Sequence, residues 1–196
     1  MSYNYRATIK AVKKMVKAAI DSPQNKFGSR VWDYHLTPVA EYSLLLAKKL
    51  GADAEVVELA AYLHDYASLL AIKNAPKHHI IGAKMAGEIL KKLGVPEEKI
   101  LATQNCIYRH RGSVKMKKDT LEAKILASAD AMSHFRYVPD MFYLAYGVHG
   151  LNSDEGAIWL AAKLRRSWDK IVLPEGRAII KKDRKIFLDI LNQVLK

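Results

Sequence analysis

Six side chains of metal-ligating type are spread over the first two thirds of the chain: His35, the adjacent pair His64 and Asp65, His78, His110 and Asp130. Imidazole nitrogens combined with carboxylate oxygens suit Mn, Fe, Co, Ni or Zn, and suit Mg less well. An ion held by such donors lowers the pKa of a bound water toward ~7 and polarises a phosphoryl oxygen, so phosphorus can be attacked without a protein nucleophile. A His-Asp dipeptide alone is a weak signal in a chain with seven histidines. Its context strengthens it. Asp65 follows His64 at the end of an apolar stripe formed by Val56, Leu59, Ala60 and Leu63. A carboxylate is costly to desolvate there unless it is paired or bound to metal. Asp130 lies in AKILASADAMSHF, whose small residues suggest a closely packed helix, and it has the same need. Between His110 and the next helix, RHRGSVKMKK carries five basic residues and no acid. Arg109, Arg111 and Lys115 are read there as substrate-phosphate ligands, since Arg grips phosphate in a bidentate way and Lys adds a point charge. The plainer alternative is a solvated basic loop. His134 and His149 are read as ordinary hydrogen-bonded core or surface residues.

These residues need helices to position them. Apolar and basic residues recur at helical spacing from Tyr5 to Ile20, which predicts a first helix ended by Asp21, Ser22 and Pro23. Thr37 and Pro38 read as an N-cap and first helical position, with Val39 to Leu50 running on to Gly51 and His35 just before the start. Asp53 is expected to cap a third helix leading to His64. A fourth is predicted from about His78 to Leu93, stopped by Gly94, and a fifth from Pro96 to His110. Asp119 and Glu122 resemble a capping box opening a sixth, which carries Asp130. Beyond Tyr137 the spacing predicts a short helix near Met141 to Tyr146, one from Asp154 to Trp168 and one from Pro174 to Leu195. No segment sustains period-two alternation between turns, so the expected fold class is all-α. The tryptophans Trp32, Trp159 and Trp168 are expected in the core.

At 196 residues, 50% hydrophobic and 27% charged, the chain has ordinary globular usage and is expected to form one helical domain over residues 1–196. Lys and Arg number 32 against 20 Asp and Glu, a net charge of +12 that favours anionic partners such as phosphates, nucleotides or nucleic acid. The single cysteine, Cys106, excludes an internal disulfide and a cysteine-only zinc site. No apolar run approaches the ~20 residues of a membrane span, and the opening residues lack a secretory apolar stretch. The expectation is a soluble cytoplasmic protein with no membrane partner.

The order His35, His64-Asp65, His78, His110, Asp130 resembles the HD-domain superfamily of metal-dependent phosphohydrolases over about Asp33 to Phe135. The local wording supports this: LAAYLHDYA around the pair, HHIIGAKMAGEIL after it, then YRHRGS and TLEAKILASADAMSHF. The resemblance implies a helical HD-type core, with a helical extension over about 138–196. It also implies that His35, His64, Asp65 and Asp130 form a shared metal site and that His78 and His110 hold a second ion, Asp65 bridging the two. His78 matches through its H-x-x-x-G spacing to Gly82; His79 shifts that spacing by one and is read as a solvated residue or one standing behind the ligands. Tyr66-Ala67-Ser68 follows the pair, without the Gly-Lys of the cyclic-dinucleotide phosphodiesterases or the nearby Glu of the nucleotidases. The small stand-alone HD hydrolases are the nearer likeness.

The function this implies is hydrolysis of a phosphate ester or anhydride in a nucleotide or other small phosphorylated compound. Asp65 and His64 would be central to catalysis, with one or two divalent ions such as manganese. A basic nucleic-acid-binding or ligand-sensing protein with a structural or vestigial metal is the alternative, and a homo-oligomer is compatible with either.

Overall fold

The computed structural model describes residues 3–112 and 116–194. Among them there is no β-strand; the chain is a succession of helices. Helix α1 (Tyr5–Ile20) is opened by Asn4, whose side chain accepts from the Ala7 N–H, and buries Ile9, Val12 and Val16 along one face. Helix α2 (Thr37–Leu50) ends at Gly51, which takes the left-handed conformation (φ 77°) that glycine adopts without steric cost. Helix α3 (Ala54–Leu63) starts at Asp53, whose carboxylate accepts from the N–H groups of Glu55 and Val56. Then come the short α4 (Tyr66–Leu70), α5 (His78–Lys92) and α6 (Glu97–Arg109). Helices α7 (Leu121–Arg136), α8 (Val138–Phe142), α9 (Ser153–Lys170) and α10 (Pro174–Val194) complete the order.

Helix α7 is the axis of the molecule. Every residue from Ile125 to Phe135 is buried, so the helix has no solvent face along that length. Its small residues Ala127, Ser128, Ala129 and Ala131 let neighbours approach closely: α2, α3 and α6 pack on it, and so do α9 and α10. The C-terminal helices are thus seated directly on the helix that carries Asp130. Helix α5 pairs with α6, and α1 covers α3 and α4. No helix among the described residues is long and apolar enough to cross a membrane.

Three local expectations are corrected. Thr37 does not cap α2, because a widened π-helical turn, Trp32–Leu36, runs straight into it and the Thr37 N–H donates to the Trp32 carbonyl. Asp119 does not open α7 either. Thr120 accepts from the Ala123 N–H, and the Asp119 carboxylate is taken by Arg109 at 2.9 Å. The short helix after Tyr137 begins earlier, at Val138, where Pro139 fits the first turn, and passes into a second π-helical turn at Tyr143–Val148.

Candidate metal centre

The four histidines read as ligands converge through their Nε2 atoms. Each ring is oriented by what its Nδ1 touches. His64, which has no exposed surface, follows α3 directly and places Nδ1 2.8 Å from the Ala61 carbonyl. His78, the first residue of α5, does the same with Ala75 at 2.7 Å, and His110, just past α6, with Ile107 at 2.5 Å. In the widened turn before α2, His35 Nδ1 lies 2.9 Å from Ser133 Oγ, and that hydroxyl donates to the Asp130 carbonyl. A carbonyl oxygen only accepts, and the Ser133 proton is already committed, so all four Nδ1 atoms carry hydrogen and all four Nε2 atoms of the neutral rings present lone pairs.

Those lone pairs face one another: Nε2 of His35 and His64 are 3.1 Å apart, and Nε2 of His78 and His110 are 3.0 Å apart. Two neutral acceptors at that distance repel unless a cation or proton lies between them. Asp65 adds one oxygen to each pair. Its Oδ2 is 3.4 Å from His35 Nε2 and 3.3 Å from His64 Nε2, while its Oδ1 is 3.5 Å from His78 Nε2. Asp130 Oδ1 lies 3.6 Å from His35 Nε2. Donors bound at ~2.1 Å around one ion are separated by ~3.0 Å in octahedral and ~3.4 Å in tetrahedral geometry. The spacings fit a divalent ion at each histidine pair. Burial works against a charged His64 ring, but Asp65 and then Asp130 outweigh it and raise the ring to about 9, so without metal a proton takes the place between His35 and His64. Burial likewise disfavours charge on Asp65, yet His64 and the other rings hold its carboxyl well below the usual range; for Asp130 the chief opposing group is Lys170.

A cavity of about 460 Å³ opens onto this cluster. Its lining includes His35, Asp65, His78, His110, Arg111 and Asp130, so the structure brings most of the expected site residues together. Arg109 is not among the lining residues. Its guanidinium is spent on Asp119, on Asn105 Oδ1 at 2.6 Å and on the Lys117 carbonyl, which shapes the basic loop. Arg111 reaches the cavity and also donates to the Pro76 carbonyl. Lys115 lies outside the described residues.

Several residues in the cavity wall escaped the sequence reading. His134 is buried there, its Nδ1 2.9 Å from Ser167 Oγ and its Nε2 3.9 Å from Asp130 Oδ1. Burial, followed by Lys163, holds the ring well below the usual histidine range, so it is neutral. Helix α9 contributes Trp159, Lys163, Arg166, Ser167 and Lys170. Lys170 forms an ion pair with Asp130 Oδ2. Gly112 makes room for its stem, since a Cβ there would lie 2.7 Å from Lys170 Cδ. Trp159, expected in the core, is partly buried and stands against His149 with ring centroids 5.0 Å apart. The signal for α9 was available in the sequence as helical spacing of 159, 163, 166 and 170, but nothing local ties that helix to the histidines. His79 is buried rather than solvated, with no hydrogen-bond partner at Nδ1.

The family model for the HD domain matches residues 32–134. The chain belongs to the HD-domain family. Its matched core contains all six candidate ligands, whereas α9 and α10 lie outside it. Over 102 residues the chain is 33% identical to Ribonuclease Y of Rubrobacter xylanophilus, a stretch that is 52% of this chain and 18% of that protein. The chain thus spans about a fifth of the length of the curated relatives it matches. Solved structures resemble it nearly end to end. Bacillus subtilis YpgQ gives a TM-score of 0.72 at 16% identity, covering 97% of this chain and 95% of that one; another crystal structure holds YpgQ in complex with ADP. An HD-superfamily hydrolase of Bacillus thuringiensis gives 0.69 at 16% identity, covering 98% and 97%. The H-x-x-x-G spacing of the HD core has a steric cause here: a Cβ on Gly82 would lie 3.3 Å from the His64 carbonyl oxygen, so glycine lets α5 approach and bring His78 to Asp65.

Proposed function

We propose that this HD-domain protein hydrolyses a phosphate ester or anhydride of a small phosphorylated compound, with a nucleotide as the favoured class. The observation that carries the reading is the convergence of four histidine Nε2 lone pairs on the two oxygens of Asp65, each ring fixed through its Nδ1. His35, His64, Asp65 and Asp130 would hold one divalent ion, and His78, His110 and Asp65 a second, with manganese the first metal to test. A bound ion supplies acidity to water and polarises a phosphoryl oxygen. The chain's own part is to orient. Asp65 directs one oxygen to each histidine pair, and Lys170 neutralises the Asp130 oxygen turned away from His35. The cavity walls take the place of part of the water around the substrate. In the overall reaction water adds its oxygen to phosphorus, the bond from phosphorus to the leaving oxygen breaks, and a proton passes to the leaving group. The ADP complex of YpgQ supports a nucleotide, as does the presence of Trp159 and Phe27 in the lining.

A second reading, cleavage of RNA phosphodiesters, is favoured by the likeness to Ribonuclease Y and by the charge of +12. Metal analysis of purified protein, coupled to a screen of nucleotides, phosphoesters and RNA with Mn, Mg, Co, Ni and Zn, tests both. Turnover of small substrates that weakens only mildly between 50 and 200 mM salt supports the first; RNA binding that falls by ~10³ or more over that range supports the second. No turnover with any metal refutes the hydrolase reading.

A further inference from the structure

Most of the cations around the cavity have fixed partners. Lys170 pairs with Asp130, and Arg111 donates to the Pro76 carbonyl. Lys163 and Arg166 differ. Both line the cavity from α9, and among the described residues neither side chain makes a hydrogen bond or a close ion pair. Burial opposes the charge on Lys163 and lowers its pKa, and the carboxylates that draw it back, Asp130 and Asp65, face the histidines. The nearby carboxyl Asp140, pushed up by its own burial, makes no close ion pair with Lys163 among the described residues. A sheltered ammonium short of a counter-ion costs folding free energy, and a ligand that brings negative charge removes that cost. Positions 159, 163, 166 and 170 share one face of α9. At 1.5 Å per residue, Lys163 stands ~10 Å along the axis from Lys170, itself bound to Asp130, and ~6 Å from Trp159.

We infer that Lys163 and Arg166 are substrate-binding residues that hold a phosphate group beside the histidine cluster. The extension outside the matched HD core thus supplies an anion grip alongside Arg111, a residue of the basic run that lines the cavity. This inference rests on the phosphohydrolase reading of the site, and its test separates the two.

The probe is inorganic pyrophosphate, its binding measured by calorimetry on Mn-loaded and on EDTA-treated protein. The double variant Lys163→Gln/Arg166→Gln is expected to bind it at least about tenfold more weakly in both states, the loss of two charge-assisted contacts, with metal content unchanged. Lys163→Arg, which keeps the charge, is expected to retain binding. The control Lys181→Gln/Lys182→Gln removes the same charge from exposed positions on α10 and is expected to bind like wild type. Wild-type affinity in the α9 double variant, an equal loss in the control, or no pyrophosphate binding by the wild-type protein each overturns the inference. If no phosphoester is turned over while the tenfold loss persists, the hydrolase reading falls and the anion site stands. If esters are hydrolysed and the double variant keeps wild-type KM and pyrophosphate affinity, the anion site falls and the hydrolase reading stands.

Discussion

Each histidine of the cluster has its Nδ1 tied to a backbone carbonyl or to Ser133, whereas Lys163 and Arg166 on α9 make no hydrogen bond with their side chains. The first arrangement holds donor atoms at fixed separations, as a small ion with short bonds requires. The second keeps charge available without fixing its position, which suits a larger anion that must enter and leave. Rigidity is found at the proposed metal centre, and charge without a fixed partner at the proposed anion site.

The largest effect expected from breaking this contrast is at Asp65. Asp65→Ala removes the carboxylate facing both histidine pairs, and metal content and turnover should both fall by more than ~100-fold, beyond what outer contacts of a metal site usually cost. A folded Asp65→Ala protein with full metal content would refute the assignment. Ser133→Ala tests the tethering of the rings more gently. It leaves His35 Nδ1 without its acceptor, and metal affinity should fall by ~10 to 100-fold while pyrophosphate binding by metal-free protein is retained. Unchanged affinity would show that the tether does not hold the ring.

On the α9 side the expected sign is reversed. Lys163→Met should stabilise the fold by ~0.5 to 2 kcal/mol as it loses the anion, which a shift in thermal midpoint would detect. The pH dependence follows from the lowered pKa of Lys163. The unfolded chain keeps the proton to ~10.4, the ordinary lysine value, while the folded protein releases it at lower pH. The penalty is therefore complete below the folded pKa and is relieved as pH rises from there toward ~10.4. The stability difference between Lys163→Met and wild type should shrink over that window; a difference that stays constant to pH 10.5 would argue against a buried charge. The smallest effect is at Gly112. Gly112→Ala crowds the Lys170 stem and should displace its ammonium from Asp130, changing turnover by a few-fold with metal retained.

Much of this was legible in the sequence because it is local. Caps such as Asp53, stops such as Gly51 and the apolar stripe leading to His64 are settled within a turn or two of helix. The six candidate metal ligands stood out by type, and the wording around them by likeness to a family. What was hidden depends on packing at long range. His134 has the same local surroundings as Asp130, and only the seating of α9 on α7, which brings Ser167 to its Nδ1, turns it to the cavity. The basic run drew attention by charge density. Charge density does not reveal that Arg109 is consumed by Asp119, nor that two cations spaced along α9 are left unpaired. Thr37 misled because its side chain is a good cap, while the π-helical turn before it already supplies the continuing backbone.

That turn has a consequence for how the site can be edited. From Trp32 to Thr37 the backbone closes over five residues instead of four, so the stretch carries one residue more than a regular helix needs. Deleting Leu36 would let regular helix run on from α2 and would move His35 into the place Leu36 now holds, about 100° around the axis, while residues ahead of the widened turn keep their faces. His35 would then point elsewhere with no polar group removed. A change of length, rather than of side-chain chemistry, is therefore the smallest alteration that would disable this centre while easing its fold.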